Sequence, residues 1–314
     1  MYAGPGRGVQ MRLDVGAAET AAEHEFAESR HVAWRRFRRH KLAMGGAIVL
    51  LLLIVVALFA NVLAPLNPDF QDPAWSGYPL APGVAHHLLG TDELGRDLLS
   101  RLMYGARISL TVACFTVIME VVIGAIIGAI AGYYGGLIDF WLMRFTDVFL
   151  SIPLLPLLLV LTAIVAATSN KASLSFLTIV VIIGGLSWPT VARLVRASFL
   201  TLREREFTEA ARALGNRDGR IIFRHLLPNA VAPIIVQATL DIAAVITTES
   251  TLSFLGFGIQ PPTASWGNML ANAESNMTIA PWVAIFPGLC ILITVLAINY
   301  LGDGLRDAID PNMR

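Results

Sequence analysis

The sequence predicts an all-α membrane protein with about six transmembrane helices, on three observations. Hydrophobic residues make up 55% of the chain and charged residues only 15%, with a mean hydropathy of +0.65. The apolar residues gather into blocks near the roughly 20 residues that cross a hydrocarbon core, without the period of a half-buried strand or surface helix. Basic residues crowd beside particular blocks, as they do on the retained side of a membrane span. A soluble domain has no use for so much apolar surface, so the bilayer is the solvent this composition requires.

Residues 1–41 are expected to form a cytoplasmic N-terminal tail. Gly4, Pro5, Gly6 and Gly8 open it, and Glu19, Glu23, Glu25 and Glu28 follow, the pattern of a disordered segment leading into a surface helix. It holds no apolar core of a secretory signal and is expected to be retained. Arg30, Arg35, Arg36, Arg38, Arg39 and Lys41 then abut the first block, Leu42 to Asn61, and hold that flank inside. The first transmembrane helix is expected over 42–63, followed by an extracytoplasmic loop over 64–107.

Five further spans are expected within a core of residues 108–302. Their blocks run from Leu110 to Tyr133, Phe149 to Thr168, Leu174 to Val191, Val231 to Leu252 and Val283 to Tyr300. Six crossings leave a cytoplasmic C-terminal tail at 303–314. They also place inside the segment carrying Arg193, Arg196, Arg203, Arg205, Arg212, Arg217, Arg220 and Arg224, in agreement with its charge. The outer loop carries Arg96, Arg101 and Arg107 beside Asp92, Glu93 and Asp97, which an amphipathic surface helix from about Leu94 to Arg107 would accommodate.

Within the second block Gly124, Gly128 and Gly132 recur four apart, which clears one helix face for a neighbouring backbone. Pro153, Pro156, Pro189 and Pro287 are expected to bend spans around a cavity. Cys114 and Cys290 both fall in apolar blocks and read as packing residues. The His86–His87 pair reads as solvated, and no metal site is expected. Basic and acidic residues balance at 23 each, so net charge points to no nucleic-acid partner.

The segment after the fourth block, a loop over 200–228, holds a good helix former in which Phe207, Ala210, Ala211 and Leu214 recur at three- and four-residue spacing. They predict a short apolar stripe that alanines leave open to close approach. Gly215 can end that helix in the left-handed conformation. A second short helix, Arg220 to Leu227, is expected to lead up to Pro228. On charge pattern alone, a solvated helix laced with Glu and Arg is the alternative.

This segment resembles the EAA loop of type I ABC importer permeases, with Glu209, Ala210, Ala211, Gly215, Leu227 and Pro228 at the family's spacing and His225 where the pattern has an apolar residue. The runs Leu89 to Arg101, Ser253 to Pro262 and Gly302 to Ala308 resemble three more segments of dipeptide and oligopeptide permease C subunits. The resemblance implies a type I permease fold with a cytoplasmic coupling helix, in a bacterial inner membrane. Its implied partners are a second permease subunit, one or two cytosolic ATPases, an extracytoplasmic substrate-binding protein and the lipid bilayer. ATP and Mg would belong to the partner ATPase, with no cofactor on this chain. Its only lysines, Lys41 and Lys171, follow His40 and Asn170, so it holds no Gly-Lys-Ser/Thr phosphate loop. Motifs of nucleophilic or metal-dependent hydrolysis are absent too, so the chain reads as a transport subunit and not an enzyme. The resemblance implies di- or oligopeptide import, with nickel or another small solute as the alternative.

Glu120 interrupts the second block, and Asp241 and Glu249 interrupt the fifth. Ionisable groups at membrane depth cost several kcal/mol unless they face protein or water, which makes each a candidate for the pathway. Asp241 and Glu249 lie about 80° apart around a helix and are expected to share a broad face with Val245 and Thr248. Carboxyls satisfied by neighbouring backbone are the alternative. The same three acids would serve a proton-coupled secondary transporter, although the chain lacks the repeated halves of such folds.

Overall fold

The computed structural model describes residues 34–168, 176–271 and 273–309. The tail before residue 34, including Arg30, and residues 310–314 lie outside the described residues, as do Leu174 and Asn272. Among the described residues the fold is helical, with only isolated bridges between Val84 and His87 and between Thr91 and Asp97. A short helix over residues 34–39 precedes α1 (Lys41–Leu58), whose N-terminus is capped by His40 Nδ1 accepting from the Ala43 amide. Then come α2 (Leu98–Tyr134), α3 (Gly136–Ser151), α4 (Leu154–Thr168), α5 (Phe176–Arg203), α6 (Glu206–Ala213), α7 (Asp218–Ile221), α8 (Leu227–Phe254), α9 (Trp266–Ala271) and α10 (Trp282–Ile309).

Among the described residues five helices are long and apolar enough to cross a membrane, and α3 with α4 make a sixth crossing if the pair, bent by 83°, is one span. The bend falls at Ile152 and Pro153, where Pro153 forces its predecessor into the extended conformation, φ −92° and ψ 127°. Pro189, Pro233 and Pro287 lie inside helices that run through them.

The centre of the bundle is α2 against α5. A Cβ on Gly124 would lie 2.7 Å from Val191 Cβ, one on Gly128 would lie 2.8 Å from Val195 Cβ, and one on Gly132 would lie 2.6 Å from Phe199 Cβ. The three-glycine face is therefore filled by the α5 backbone and its β-carbons, an approach that any side chain would block. One apolar cluster joins α2, α5 and α8 through Val112, Val117, Ile183, Ile246 and Leu252, and a second surrounds Phe199, Val195, Ile221 and Leu226 toward the α6 end.

Three expectations are corrected. Instead of a separate surface helix from about Leu94 to Arg107, residues before 98 form a turn and α2 runs unbroken for 37 residues. Asp92, Arg96 and Asp97 are buried in that turn and Arg101 at the start of α2, while Arg107 is exposed. Asp92 accepts from the Leu94 and Arg96 amides at 3.0 Å and from Arg96 Nε at 2.7 Å, while Arg101 Nε lies 3.5 Å away. Asp97 caps α2 by accepting from the Ser100 amide and hydroxyl, and its Oδ1 lies 2.8 Å from His87 Nδ1. Buried ions persist only when partners answer both charges, and this knot answers them.

The second short helix expected from Arg220 to Leu227 is likewise not separate. A single π-turn over Ile222–Leu226 links α7 to α8, and Pro228 sits in the first turn of α8, where its missing N–H matters least. Asn229 Nδ2 donates to the His225 carbonyl at 2.6 Å. Finally, residues 303–309, expected to begin a tail, continue α10 and pack Ala308 against Phe37 and Ala43.

Candidate functional site

The break between α3 and α4 opens a cleft of about 370 Å³ whose other walls are α2, α5 and α8. Glu120 reaches it from α2, Ser187 and Thr190 from α5, and Asp241 and Thr248 from α8, among apolar walls such as Phe149 and Val245. Three of the acids and hydroxyls singled out in the sequence, Glu120, Asp241 and Thr248, are thus brought together at mid-span. Gln237 Nε2 donates to Asp241 Oδ1 at 2.8 Å, and Thr248 Oγ1 donates to the Ala244 carbonyl.

Glu249 does not join them, which corrects the expected common face. The angle of about 80° between it and Asp241 is enough to send it the other way, into packed protein. It is fully buried, accepting from Ser253 Oγ at 2.7 Å and from Ser109 Oγ at 3.4 Å. Ser253 Oγ also accepts from the Ile259 amide and Ser109 Oγ from the Trp266 amide, so Glu249 ties α8 to α2 and to the chain entering α9. Its carboxyl is hydrogen-bonded within packed protein, away from the cleft.

At one end of the bundle α6 forms a separate surface. Phe207, Glu209, Ala210 and Leu214 are exposed, Leu214 at 83%, whereas Ala211 packs inward beside Phe199 and Tyr133. The stripe read from spacing is therefore split: Phe207, Ala210 and Leu214 face out and Ala211 anchors. Gly215 has φ +74°, and the Gly215 and Asn216 amides donate to the Arg212 and Ala211 carbonyls to close the helix. Leu227 is half-buried at the head of α8 and Pro228 is exposed there.

The anchoring of α6 rests on residues that sequence reasoning passed over. Tyr133, at the end of α2, donates its hydroxyl to Asp218 Oδ1 at 2.7 Å, and its ring lies 5.4 Å from the Arg212 guanidinium. Arg203 Nη1 donates to the Tyr133 carbonyl, and Thr208 Oγ1 donates to the Leu202 carbonyl. Beside them Arg196 pairs with Asp139 and Arg193 with Asp147, joining α5 to α3. The excess of arginine after the fourth block was the available signal, but charge alone does not name these acceptors.

The model of the family described as binding-protein-dependent transport system inner membrane component matches residues 124–314, and that of the N-terminal TM domain of oligopeptide transport permease C matches residues 30–82. The chain belongs to the binding-protein-dependent transport permease family. It is 44% identical over 285 residues to the glutathione transport system permease protein GsiD of Escherichia coli O6:K15:H31 (strain 536 / UPEC), covering 90% of this chain and 91% of that one. The GsiD of Shigella boydii serotype 4 (strain Sb227) gives the same values.

Among solved structures, an inward-facing MetNI methionine ABC transporter chain superposes with a TM-score of 0.55 at 20% identity, over 67% of this permease and 97% of that chain. An amino acid ABC transporter chain gives 0.50 at 18% identity, over 65% and 92%. At such identities the likeness is one of fold. The permease is a multi-pass membrane subunit of an ABC importer, a family that works with an ATPase and a binding protein. That assignment replaces the proton-coupled alternative.

Proposed function

We propose that this permease forms half of a translocation pathway for di- or oligopeptides and that a second permease closes its cleft. The cleft carries the proposal: polar and acidic side chains from three spans meet in it at membrane depth, where a carboxyl is retained at a cost of several kcal/mol. The glutathione permeases among its relatives support a short peptide as the solute. Phe207, Ala210 and Leu214 on α6 dock in a groove of a cytosolic ATPase, and Ala211, Tyr133 and Arg203 pass its movement to α2 and α5. ATP and Mg belong to that partner, and this chain holds no cofactor. In this arrangement α6 and both termini lie in the cytoplasm of a bacterial cell.

The test is Ala210→Asp in vesicles holding the whole importer. The substitution places an unpaired charge in the docking contact but touches no span. It should release the ATPase on co-purification, or leave ATP hydrolysis without import, at unchanged membrane abundance. Assembly and coupling at wild-type levels would show α6 to be a solvated connector.

A further inference from the structure

The cleft holds two acids and, among its lining residues, no lysine, arginine or histidine. Glu120 is only 2% exposed, yet its Oε1 has no hydrogen-bond partner. Asp241 has Gln237 on Oδ1, while its Oδ2 is buried and equally unpartnered. The two carboxyls, one on α2 and one on α8, lie within hydrogen-bonding reach of each other, so a proton can be shared between them when the cleft is empty. Arg193 and Arg196, on the same helix as Ser187 and Thr190, are engaged by Asp147 and Asp139.

Buried polar atoms are nearly always paired, and an orphan in a well-packed fold calls for a missing partner. Here two orphan oxygens of acceptor type border one cleft on opposing helices, and what can serve them is a donor: a proton held between the two carboxyls, or a cation that takes its place. Ionised carboxylates are acceptors only, and an ammonium offers three donors and a guanidinium five. Apolar walls such as Phe149, Leu186 and Val245 strengthen a charge pair formed between them.

We infer that Glu120 and Asp241 form a subsite for a cationic group, an ammonium or guanidinium, on the solute in transit. The inference rests on reading the cleft as the pathway and names the chemistry that the pathway selects. Gln237 holds the Asp241 carboxylate toward the cleft, Glu120 supplies the second acceptor, and the hydroxyls of Ser187, Thr190 and Thr248 face the uncharged remainder.

The test is protection of Glu120 from dicyclohexylcarbodiimide in the purified complete importer, read by mass spectrometry of the Glu120 peptide. Butylammonium and butylguanidinium should slow labelling about tenfold, as charge-assisted hydrogen bonds to two carboxylates imply. Butanol, butyrate and magnesium chloride at matched concentration should not. Asp241→Asn keeps the shape of the site and leaves Glu120 to label, and it should abolish protection. Equal labelling in all arms, protection by magnesium chloride as strong as by butylammonium, or protection that survives Asp241→Asn would overturn the subsite. So would a Glu120 that labels in no arm, which would mean that the partner permease already covers it. The pathway reading is read separately, from Thr248→Cys and a water-soluble maleimide through the ATP cycle. Reaction in one nucleotide state supports a pathway, and no reaction in any state would remove it and the solute assignment together.

Discussion

The Tyr133 hydroxyl donates a 2.7 Å hydrogen bond to Asp218 Oδ1, joining the last turn of the longest helix to the first turn of the chain that returns into the membrane. Between these two residues in sequence lie α3, α4, α5 and α6, so the contact ties together parts of the α6 end that are far apart in the chain. Tyr133→Phe removes only the oxygen, which costs about 0.5–1.5 kcal/mol as a lost hydrogen bond. The expected outcome is an importer that assembles, melts slightly lower and hydrolyses more ATP per solute imported. Asp218→Asn, which keeps an acceptor, should be milder. An unchanged ratio of hydrolysis to import in Tyr133→Phe would reduce this contact to local packing.

Gly128 is where α2 and α5 approach most closely among sites whose substitution tests packing alone. Valine there would drive its β-carbon into the Ala192 carbonyl and Val195. Overpacking of this kind costs about 1–3 kcal/mol, and backbone on the far side has little room to yield. Membrane abundance should fall steeply in Gly128→Val and much less in Gly45→Val, where nothing lies within 4 Å of the added carbon. Equal abundance of the two variants would contradict the packed interface.

Gly215 stands in open space at φ +74°, so its requirement is one of backbone conformation and not of room. Gly215→Val should cost about 1–2 kcal/mol locally by opposing the left-handed turn. Gly215→Asn, which tolerates that turn, should retain coupling. The comparison separates aim of the helix from bulk, and similar ATPase retention by both variants would argue against a role for the turn.

Glu249 separates structure from pathway. Glu249→Ala leaves the Ser253 and Ser109 hydroxyls without their shared acceptor and should cost about 1–3 kcal/mol, seen as loss of assembled complex. Glu249→Gln keeps an acceptor and should import at near wild-type rate once assembled. A Glu249→Gln importer that assembles fully but does not transport would place Glu249 in the mechanism.

Topology is tested by single cysteines in a background made cysteine-free by Cys114→Ala and Cys290→Ala. Arg217→Cys, exposed beside α7, should react in intact cells only with membrane-permeant maleimides, and Tyr78→Cys, 80% exposed in the loop before α2, with impermeant ones too. Labelling of residue 217 from outside would invert the orientation.

Much of this architecture was legible because it is local. Apolar block length reports the solvent, Pro153 dictates the extended residue before it, and Gly215 supplies a left-handed turn at a helix end, whatever the rest of the chain does. The Gly124, Gly128 and Gly132 spacing likewise announced a close helix contact. Only the tertiary structure decided that α5 fills it, since a smooth face is compatible with any partner. The same limit separated the acids. Residue type and depth marked Glu120, Asp241 and Glu249 alike, but α8 turns Asp241 toward the break of the third span and Glu249 toward Ser109, Ser253 and the α9 approach. The knot of Asp92, Arg96, Asp97 and Arg101 read as an amphipathic surface helix because it carries both signs, and it is buried because nearby amides and Arg96 answer Asp92, while His87 meets Asp97 and Arg101 donates to the Pro68 carbonyl 33 residues away. Composition and spacing thus determine the solvent and the number of spans to within one. Which charge is satisfied and which is left open depends on contacts between residues far apart in the chain, and these exist only once the helices have packed.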